Sequence, residues 1–202
     1  IDVRDERAAV YMAHAEAELT GKIGVALVTA GPGVTNAITG IANAHVARAP
    51  VLVLSGLPPL PQENRGALQD IIHTDMVKSI TRYARTVHHP DLALQEIDEA
   101  VARALGQGGE PGPAYLDFPA DVARALVPQA VQMAERFAPI KPVEMPPDPA
   151  VIRQAVELLW SAKRPLVISG RGAKGASKPL CELLSRLGAA YLDTGRSEEH
   201  TS

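Results

Sequence analysis

A glutamate stands at the beginning of a predicted amphipathic helix, where a carboxylate can take part in proton transfer. The helix is predicted over residues 4–19, and Glu6 lies in its first turn. The helix dipole stabilises a negative charge there, so an ordinary surface glutamate is one interpretation. A carboxyl group that exchanges a proton with a bound ligand is the other, since Glu is among the usual general acids and bases. The residues around Glu6 leave both open.

A glycine-rich turn follows the first predicted strand and precedes the next predicted helix. It consists of Gly31-Pro32-Gly33-Val34-Thr35-Asn36, between an apolar run at residues 23–29 and a helical pattern at 34–48. Glycine permits a tight turn and close approach of a ligand, and free N–H groups point outward at a helix N-terminus. Open α/β sheets bind ligands at the carboxyl ends of their strands. The turn therefore favours a ligand site, although a plain strand-to-helix connection has the same outline.

A second glycine-rich turn occurs at residues 170–175, with the sequence Gly-Arg-Gly-Ala-Lys-Gly. It follows a predicted strand and precedes a predicted helix. Asp193 ends the next strand at about the separation expected for a ribose-binding carboxylate. The arrangement is typical of dinucleotide-binding domains, but small α/β domains also use such turns for packing. Both interpretations stay open.

The other residues of chemical interest predict no metal site and no nucleophile. The six histidines have no carboxylate or cysteine partner at the spacing of a metal site. Cys181 is the only cysteine, which excludes a disulfide framework and a cysteine-based zinc site. Ser55 lacks the Gly-x-Ser-x-Gly pattern of a nucleophile elbow. We expect solvated or hydrogen-bonded histidines and no metal ligands in this chain.

The predicted elements place the first turn in a parallel α/β sheet. The run at residues 23–29 is apolar without alternation, which predicts a strand buried on both faces. In the first helix we predict one stripe at Ala8, Met12 and Ala15. Strands are predicted at residues 23–29, 50–55, 84–87 and 114–118, and helices at residues 4–19, 34–48, 75–80 and 91–105. This order predicts a doubly wound α/β domain over residues 1–127.

A proline-rich stretch separates this domain from a second one. Six of the 17 prolines lie at residues 128–149, a density that neither a helix nor a central strand tolerates. We therefore predict a linker at residues 128–148. After it, helices at residues 151–162 and 178–187 alternate with strands at 165–169 and 189–193, so residues 149–195 are assigned to the truncated start of a Rossmann-like α/β domain. Residues 196–202 resemble a translated sequencing-adapter oligonucleotide and are expected to be a non-native tail.

Composition and charge exclude several classes of protein and of binding partner. Hydrophobic residues make up 46% and charged residues 21% of the chain, which excludes disorder and coiled coil. The 20 basic and 23 acidic residues give a net charge of −3, which argues against a nucleic-acid partner. No apolar run reaches the length of a membrane span. We expect no membrane partner and a cytoplasmic location.

Five short stretches occur in a characteristic order along the chain. They are RDERAA at residues 4–9, TAGPGVTN at 29–36, ALQD at 67–70, PGPAYLDFPADV at 111–122 and RPLVISGRG at 164–172. Together they resemble the thiamine diphosphate-dependent enzymes of the acetolactate synthase group, over residues 1–195. The resemblance implies a pyrimidine-binding domain of the thiamine diphosphate-binding fold, whose own start is missing, followed by the start of the family's central domain.

The resemblance implies roles for five residues. In these enzymes the glutamate at the helix start hydrogen-bonds the pyrimidine ring of the cofactor and favours its imino tautomer, and Glu6 matches that position. Pro32, Gly33 and Asn36 match positions that line the pyrimidine pocket, and Gln69 matches one that reaches into the active site. A further domain binds Mg²⁺ and the diphosphate, and it comes from the neighbouring subunit of a homodimer or homotetramer. The Mg²⁺ ligands are therefore expected outside this chain, which alone is expected to be inactive.

One residue departs from the flavin-containing members of the group. These enzymes commonly have an arginine before the Pro-Gly-Pro sequence, where it helps hold FAD, and this chain has Glu110. A carboxylate cannot replace a guanidinium that faces a phosphate, so FAD is doubtful. Three functions stay open: carboligation of 2-oxo acids after decarboxylation, as in acetolactate synthase; non-oxidative decarboxylation of a 2-oxo acid or an acyl-CoA; and, outside the enzymes, a non-catalytic nucleotide-binding module.

Overall fold

The computed structural model describes residues 1–127, 146–173 and 175–194. The chain divides into two compact units, residues 1–140 and 141–202. Most of the linker predicted at residues 128–148, and all of the tail predicted at 196–202, lie outside the described residues. Across the described ranges, no helix is both long enough and apolar enough to cross a membrane.

The first unit is built on a parallel sheet of four strands. The strands are β1 (Gly24–Val28), β2 (Val51–Leu57), β3 (Tyr83–Thr86) and β4 (Ala114–Pro119). Their order in the sheet is β1-β2-β4-β3, and each neighbouring pair runs parallel. Gly24 pairs with Val51, and Leu52 pairs with Ala114. The predicted α/β class with a parallel sheet is confirmed.

Helices lie before, between and after these strands. They are α1 (Glu6–Thr20), α2 (Pro32–Ala47), α3 (His73–Val77), α4 (Ala93–Ala104) and α5 (Ala120–Arg124). α2 begins at Pro32 rather than at residue 34, because Gly31 is its N-cap and proline suits the first helical position. The helix predicted at residues 75–80 is instead α3 followed by a 3₁₀ turn at Lys78–Ile80. The short helix α5 has no counterpart in the prediction.

The sheet buries a separate hydrophobic core on each face. On one face Val51 and Val53 pack with residues of α1 and α2. On the other face Leu52 and Leu116 pack with residues of α4. Successive side chains of a strand point to opposite faces, so β2 is apolar throughout because both of its faces are covered. The predicted doubly wound arrangement follows from these two cores.

Strand β1 corrects the prediction that it is buried on both faces. Ala26 and Val28 are buried, but Val25 and Leu27 are 56% and 75% exposed. Within the described residues β1 is an edge strand, so it lacks the second neighbour and the full covering that β2 has. An apolar run alone does not distinguish an edge strand from a central one.

The buried face of α1 also differs from the predicted stripe. Val10, Ala13 and Ala17 are buried, whereas Met12 is 43% exposed. Alanine occurs around most of this helix, so its hydrophobic period is weak. A Cβ on Gly24 would lie 1.8 Å from the carbonyl oxygen of Ala13, so this glycine lets β1 touch the helix backbone. Packing against β1 therefore decides which side of α1 is buried.

The described part of the second unit alternates helices and strands. These are α6 (Pro149–Ser161), β5 (Leu166–Ser169), α7 (Ser177–Leu187) and β6 (Ala190–Asp193). β5 and β6 pair in parallel, with Leu166 beside Ala190. Asp148 caps α6, because its side chain accepts a hydrogen bond from the backbone N–H of Ala150. The order of elements is the one that the sequence predicts.

Candidate functional site

Glu6 is the first residue of α1, and its carboxylate faces α2. Its Oε2 accepts a hydrogen bond of 3.1 Å from the side-chain amide of Asn36. The N-terminus of α1 is capped by Asp5, whose Oδ1 accepts a hydrogen bond from the backbone N–H of Arg7 across 2.9 Å. The Arg7 side chain also hydrogen-bonds Asp5 and lowers the pKa of that carboxyl to about 2. Asp5 therefore satisfies the helix end, and the Glu6 carboxylate bonds to a different helix.

Close contact between α1 and α2 determines the position of this carboxylate. A Cβ on Gly40 would lie 2.7 Å from the Cβ of Val10, so the helices approach where residue 40 has no side chain. Val10 and Gly40 each lie four residues after Glu6 and Asn36, which is about one helical turn along both helices. A further step along, Asn43 Nδ2 lies 3.0 Å from His14 Nδ1. The two helices thus run in the same direction with matched turns.

The first glycine turn leads from β1 into α2. Gly31 adopts φ +61° and ψ −113°, and its N–H donates to Nε2 of His73 across 2.8 Å. Gly33 is buried, and a Cβ there would lie 2.7 Å from Cγ2 of Thr29 and 3.5 Å from Oε1 of Glu6. The backbone of Gly33 therefore faces the carboxylate with no side chain of its own between them.

The remaining two predicted site residues lie at the borders of the turn. Pro32 is exposed at the first position of α2. Gln69 is half-buried with a left-handed φ of +64°, and a Cβ on Gly31 would lie 2.8 Å from the Cβ of Gln69. Three of the five predicted residues thus meet around the carboxylate, Gln69 packs against the start of the turn, and Pro32 lies at its surface.

A buried histidine, His73, bonds to the same turn, and a buried aspartate, Asp117, bonds to that histidine; the sequence predicts neither as a site residue. Nδ1 of His73 lies 3.2 Å from Oδ2 of Asp117, and the two side chains are 0% and 1% exposed. Burial raises the pKa of Asp117, and the hydrogen bond from His73 opposes that shift. One signal was present, because a carboxylate in an apolar strand at residues 114–118 requires a polar partner. Strand pattern cannot say which residue that partner is.

An open groove borders the carboxylate of Glu6. Its volume is about 750 Å³, and it is lined by residues 1–6, part of α1 and residues 25–29. Glu6 and Thr29, which both face Gly33, belong to this lining. The groove therefore borders the carboxylate and the residue against which the turn packs.

The second glycine turn is described except for Lys174. It forms a 3₁₀ turn at Arg171–Ala173 after β5, and the end of β6 places Asp193 beside Ser169. A Cβ on Gly172 would meet no atom of the described residues within 4 Å, so their packing does not require this glycine. Nucleotide binding at this turn stays a prediction. In the described ranges, no group of three or more His, Cys, Asp or Glu side chains is arranged to hold a metal ion.

Glu110, at the position where an arginine was expected, lies between two arginines. Its carboxylate oxygens lie 2.9 Å from Arg48 and 3.2 Å from Arg82. Arg82 also donates from Nε to the carbonyl oxygen of Pro111 across 3.1 Å. These contacts join the loop before β4 to the end of α2 and to the segment that enters β3. Glu110 therefore has a structural partner on each side.

A parallel α/β sheet with a glycine turn after β1, and a helix-start carboxylate facing that turn, defines a pyrimidine-binding domain of the thiamine diphosphate type. The comparison with protein families agrees. Residues 1–78 match the family described as thiamine pyrophosphate enzyme, N-terminal TPP binding domain. The chain belongs to the thiamine pyrophosphate-dependent enzymes and is acetolactate synthase-like.

Curated relatives carry two kinds of name. The chain is 34% identical over 205 residues to 2-hydroxyacyl-CoA lyase 2 of Bos taurus, covering 86% of this chain and 32% of the relative. It is 40% identical over 141 residues to the protein of the same name in Danio rerio, covering 69% of this chain and 21% of the relative. It is 34% identical over 207 residues to acetolactate synthase of Arthrospira platensis, covering 98% of this chain and 35% of the relative. The chain thus spans about a third or less of the length of these relatives.

Proposed function

We propose that the protein containing this chain uses thiamine diphosphate to form or cleave a carbon–carbon bond next to a carbonyl group, and that Glu6 is its catalytic carboxylate. The observation that carries the proposal is the carboxylate of Glu6, which Asn36 orients and which faces the backbone of Gly33. A surface glutamate that only stabilises a helix start needs neither contact. The third function considered above, a non-catalytic module, gives no reason for them.

The residues around Glu6 fit a flat ring that exchanges a proton. Gly33 offers backbone without a side chain, and Oε1 of Glu6 faces it. Asn36 binds only Oε2, so the amide orients the carboxylate without taking both oxygens. Thiamine diphosphate, when bound, supplies the carbon nucleophile for a carbonyl substrate. In this proposal Glu6 holds the proton shared with the pyrimidine ring, Asn36 keeps the carboxylate in place, and the turn borders the ring.

Substitution of Glu6 tests the proposal. In the complete enzyme at saturating cofactor, we expect Glu6→Gln to lower turnover by roughly 10²-fold or more, the scale of general acid–base catalysis. Glu182→Gln is the matched control, because Glu182 is an exposed glutamate of α7 in the second unit, and it should change turnover by no more than about twofold. If Glu6→Gln kept turnover within a few-fold of the parent enzyme, the catalytic assignment would be wrong.

Two reactions fall within this proposal, and substrate trials separate them. Carboligation of 2-oxo acids after decarboxylation is the first candidate, in line with the acetolactate synthase relatives. Non-oxidative decarboxylation of a 2-oxo acid or an acyl-CoA is the second, and the name 2-hydroxyacyl-CoA lyase 2 adds acyl-CoA cleavage to the trials. A coupled product from two molecules of pyruvate supports the first. Aldehyde release without coupling, or cleavage of a 2-hydroxyacyl-CoA, supports the second.

The proposal extends to cofactors and assembly. Glu110 engages Arg48 and Arg82, so residue 110 offers FAD no positive charge, and we propose an enzyme without flavin. Mg²⁺ and the diphosphate are assigned to another part of the protein, supplied by a neighbouring subunit of a homodimer or homotetramer. The absorbance spectrum of the purified enzyme tests the flavin statement, and a stoichiometric flavin band would overturn it. Sedimentation with and without cofactor tests the assembly.

A further inference from the structure

His73 bonds to the turn through one ring nitrogen and to Asp117 through the other, and this geometry defines which nitrogen of the imidazole carries the proton. Nε2 of His73 lies 2.8 Å from the backbone nitrogen of Gly31. A backbone N–H can only donate, so Nε2 must be the acceptor and carries no proton. The single imidazole proton is then on Nδ1, where it is donated to Oδ2 of Asp117 across 3.2 Å. Asp117 therefore selects the tautomer that can accept from Gly31.

His73 also joins two separate segments of the site. It is the first residue of α3, and Gln69 lies four residues before it. Gln69 packs on Gly31, while His73 bonds the amide of the same glycine. The segment at residues 69–73 thus holds the start of the turn at two points.

The backbone N–H of Gly31 depends on His73 for its hydrogen bond. Within the part of the chain that the structure describes, no side chain caps the N-terminus of α2, and Gly31 is buried. A buried N–H without a partner is costly, so loss of the imidazole would displace the turn. Tyr115 supports the arrangement from the side, since its ring stands edge-on to the imidazole with the centroids 6.5 Å apart.

We propose that His73 is a positioning residue of the thiamine diphosphate site, and that Asp117 supports it by holding the required tautomer. Through Gly31, His73 keeps Gly33 and Asn36 in place opposite the carboxylate. In this proposal His73 acts through the backbone of Gly31 and not by its own contact with cofactor or substrate. The inference rests on the proposed function, because it assumes that the turn borders the cofactor.

Three variants of the complete enzyme test the positioning role. His73→Leu removes both hydrogen bonds, and we expect the thiamine diphosphate concentration for half-maximal activity to rise about tenfold, the effect of one unpaired buried donor. His73→Gln can accept from Gly31 with its carbonyl oxygen and donate to Asp117 with its amide, so it should restore the parent value to within about threefold. His89→Gln is the matched control at an exposed histidine and should leave that concentration unchanged.

A purely structural role would give a different pattern. It would lower the thermal midpoint in His73→Leu while leaving the half-maximal cofactor concentration unchanged well below that midpoint. Equal values for the Gln and Leu variants would also overturn the proposal. Should His73→Leu fail to fold, the Gln variant still decides, because a tenfold rise there contradicts the proposed replacement of both hydrogen bonds.

The tautomer can be measured on the chain itself, without activity. Two-bond ¹H–¹⁵N correlation spectra distinguish a protonated Nδ1 from a protonated Nε2, and we expect His73 to carry its proton on Nδ1 alone. A protonated Nε2 at neutral pH would overturn the inference even if Glu6 proved catalytic. Conversely, the expected tautomer together with a fully active Glu6→Gln enzyme would reject the proposed function and leave the hydrogen-bonding geometry intact.

Discussion

The side-chain amide of Asn36 donates to Oε2 of Glu6 across 3.1 Å and so joins two helices near their N-terminal ends. The two residues lie 30 positions apart in the chain, so neither helix alone can place them together. Their meeting depends on the contact between Val10 and Gly40, where a Cβ on residue 40 would lie 2.7 Å from the valine. The position of the Glu6 carboxylate is therefore a consequence of helix packing.

Replacement of the amide of Asn36 by a carboxylate should destabilise the first unit. In Asn36→Asp a second carboxylate faces Glu6, and the two repel, whereas Asn36→Ala only loses the hydrogen bond. We expect Asn36→Asp to be less stable than Asn36→Ala by about 0.5 kcal/mol at pH 7, the scale of a partly exposed charge pair. Thermal unfolding of the two variants measures this. The gap should close at acidic pH as the carboxylates take up protons, and equal midpoints at pH 7 would contradict the expectation.

A side chain at residue 40 should separate α1 from α2. We expect Gly40→Ala to lower the free energy of unfolding by roughly 1–3 kcal/mol, because the added methyl group overlaps Val10. Gly109→Ala is the control, since a Cβ there meets no atom within 4 Å. Val10→Ala combined with Gly40→Ala should recover part of the loss, with a coupling of about 0.5 kcal/mol or more in a double-mutant cycle. Strict additivity of the two changes would show that the helices do not meet at this point.

Replacement of the buried aspartate should change how stability depends on pH. Burial raises the pKa of Asp117 above its ordinary 3.8, so its ionisation favours the unfolded chain. The parent protein therefore loses stability as pH rises from 3.8 through the raised pKa. Asp117→Asn keeps an oxygen that can accept from His73 but cannot ionise. The free energy of unfolding of this variant, relative to the parent, should increase across that window in chemical denaturation series.

The opposite slope would contradict this account of Asp117. A relative stability that falls with rising pH would mean that His73 stabilises the ionised carboxylate more than burial destabilises it. A flat difference would place the titration of Asp117 at its ordinary pKa in the folded chain.

The cap of α1 should weaken in acid. Arg7 lowers the pKa of Asp5 from 3.8 to about 2, so its contribution to stability is present above pH 3.8 and is lost as pH falls towards 2. At neutral pH, Asp5→Asn keeps an acceptor for the N–H of Arg7 but loses the ion pair, and Asp5→Ala loses both. Exchange of the Arg7 amide proton should be slowest in the parent, faster in the Asn variant and fastest in the Ala variant. Any other order would assign the cap to another group.

Local sequence accounts for most of the fold of the first unit. β2 and β4 are apolar stretches of strand length, and Gly31 interrupts the helical and strand patterns at the turn. The observed helix boundaries differ from the predicted ones where a local preference outweighs hydrophobic periodicity. Proline favours the first helical position, so α2 begins at Pro32, two residues before the predicted start. Edge position and the buried side of α1 were not predictable, because Val25 and Met12 look no different from core residues in sequence.

The candidate site also contains residues that could be predicted from the sequence and residues that could not. Residue type and order pointed to Glu6 and to the turn, since a carboxylate at a helix start and glycines after a strand have local physical meaning, whereas Gln69 was identified only through the family resemblance. The partner of Asp117 had no local signal, because His73 lies 44 residues away from it. A buried carboxylate predicts that a partner exists but does not name it.

The sequence alone determined the alternation of strands and helices, the glycine turn after β1 and the carboxylate at the start of α1, because each depends on neighbouring residues. Only the tertiary structure decided that Asn36 bonds Glu6 and that His73 links Gly31 to Asp117. Those contacts join residues far apart in the chain, and their geometry depends on how closely helices and strands can pack. Where Gly24 and Gly40 leave out a side chain, β1 and α2 approach α1 closely, and the approach of α2 sets the position of the Glu6 carboxylate.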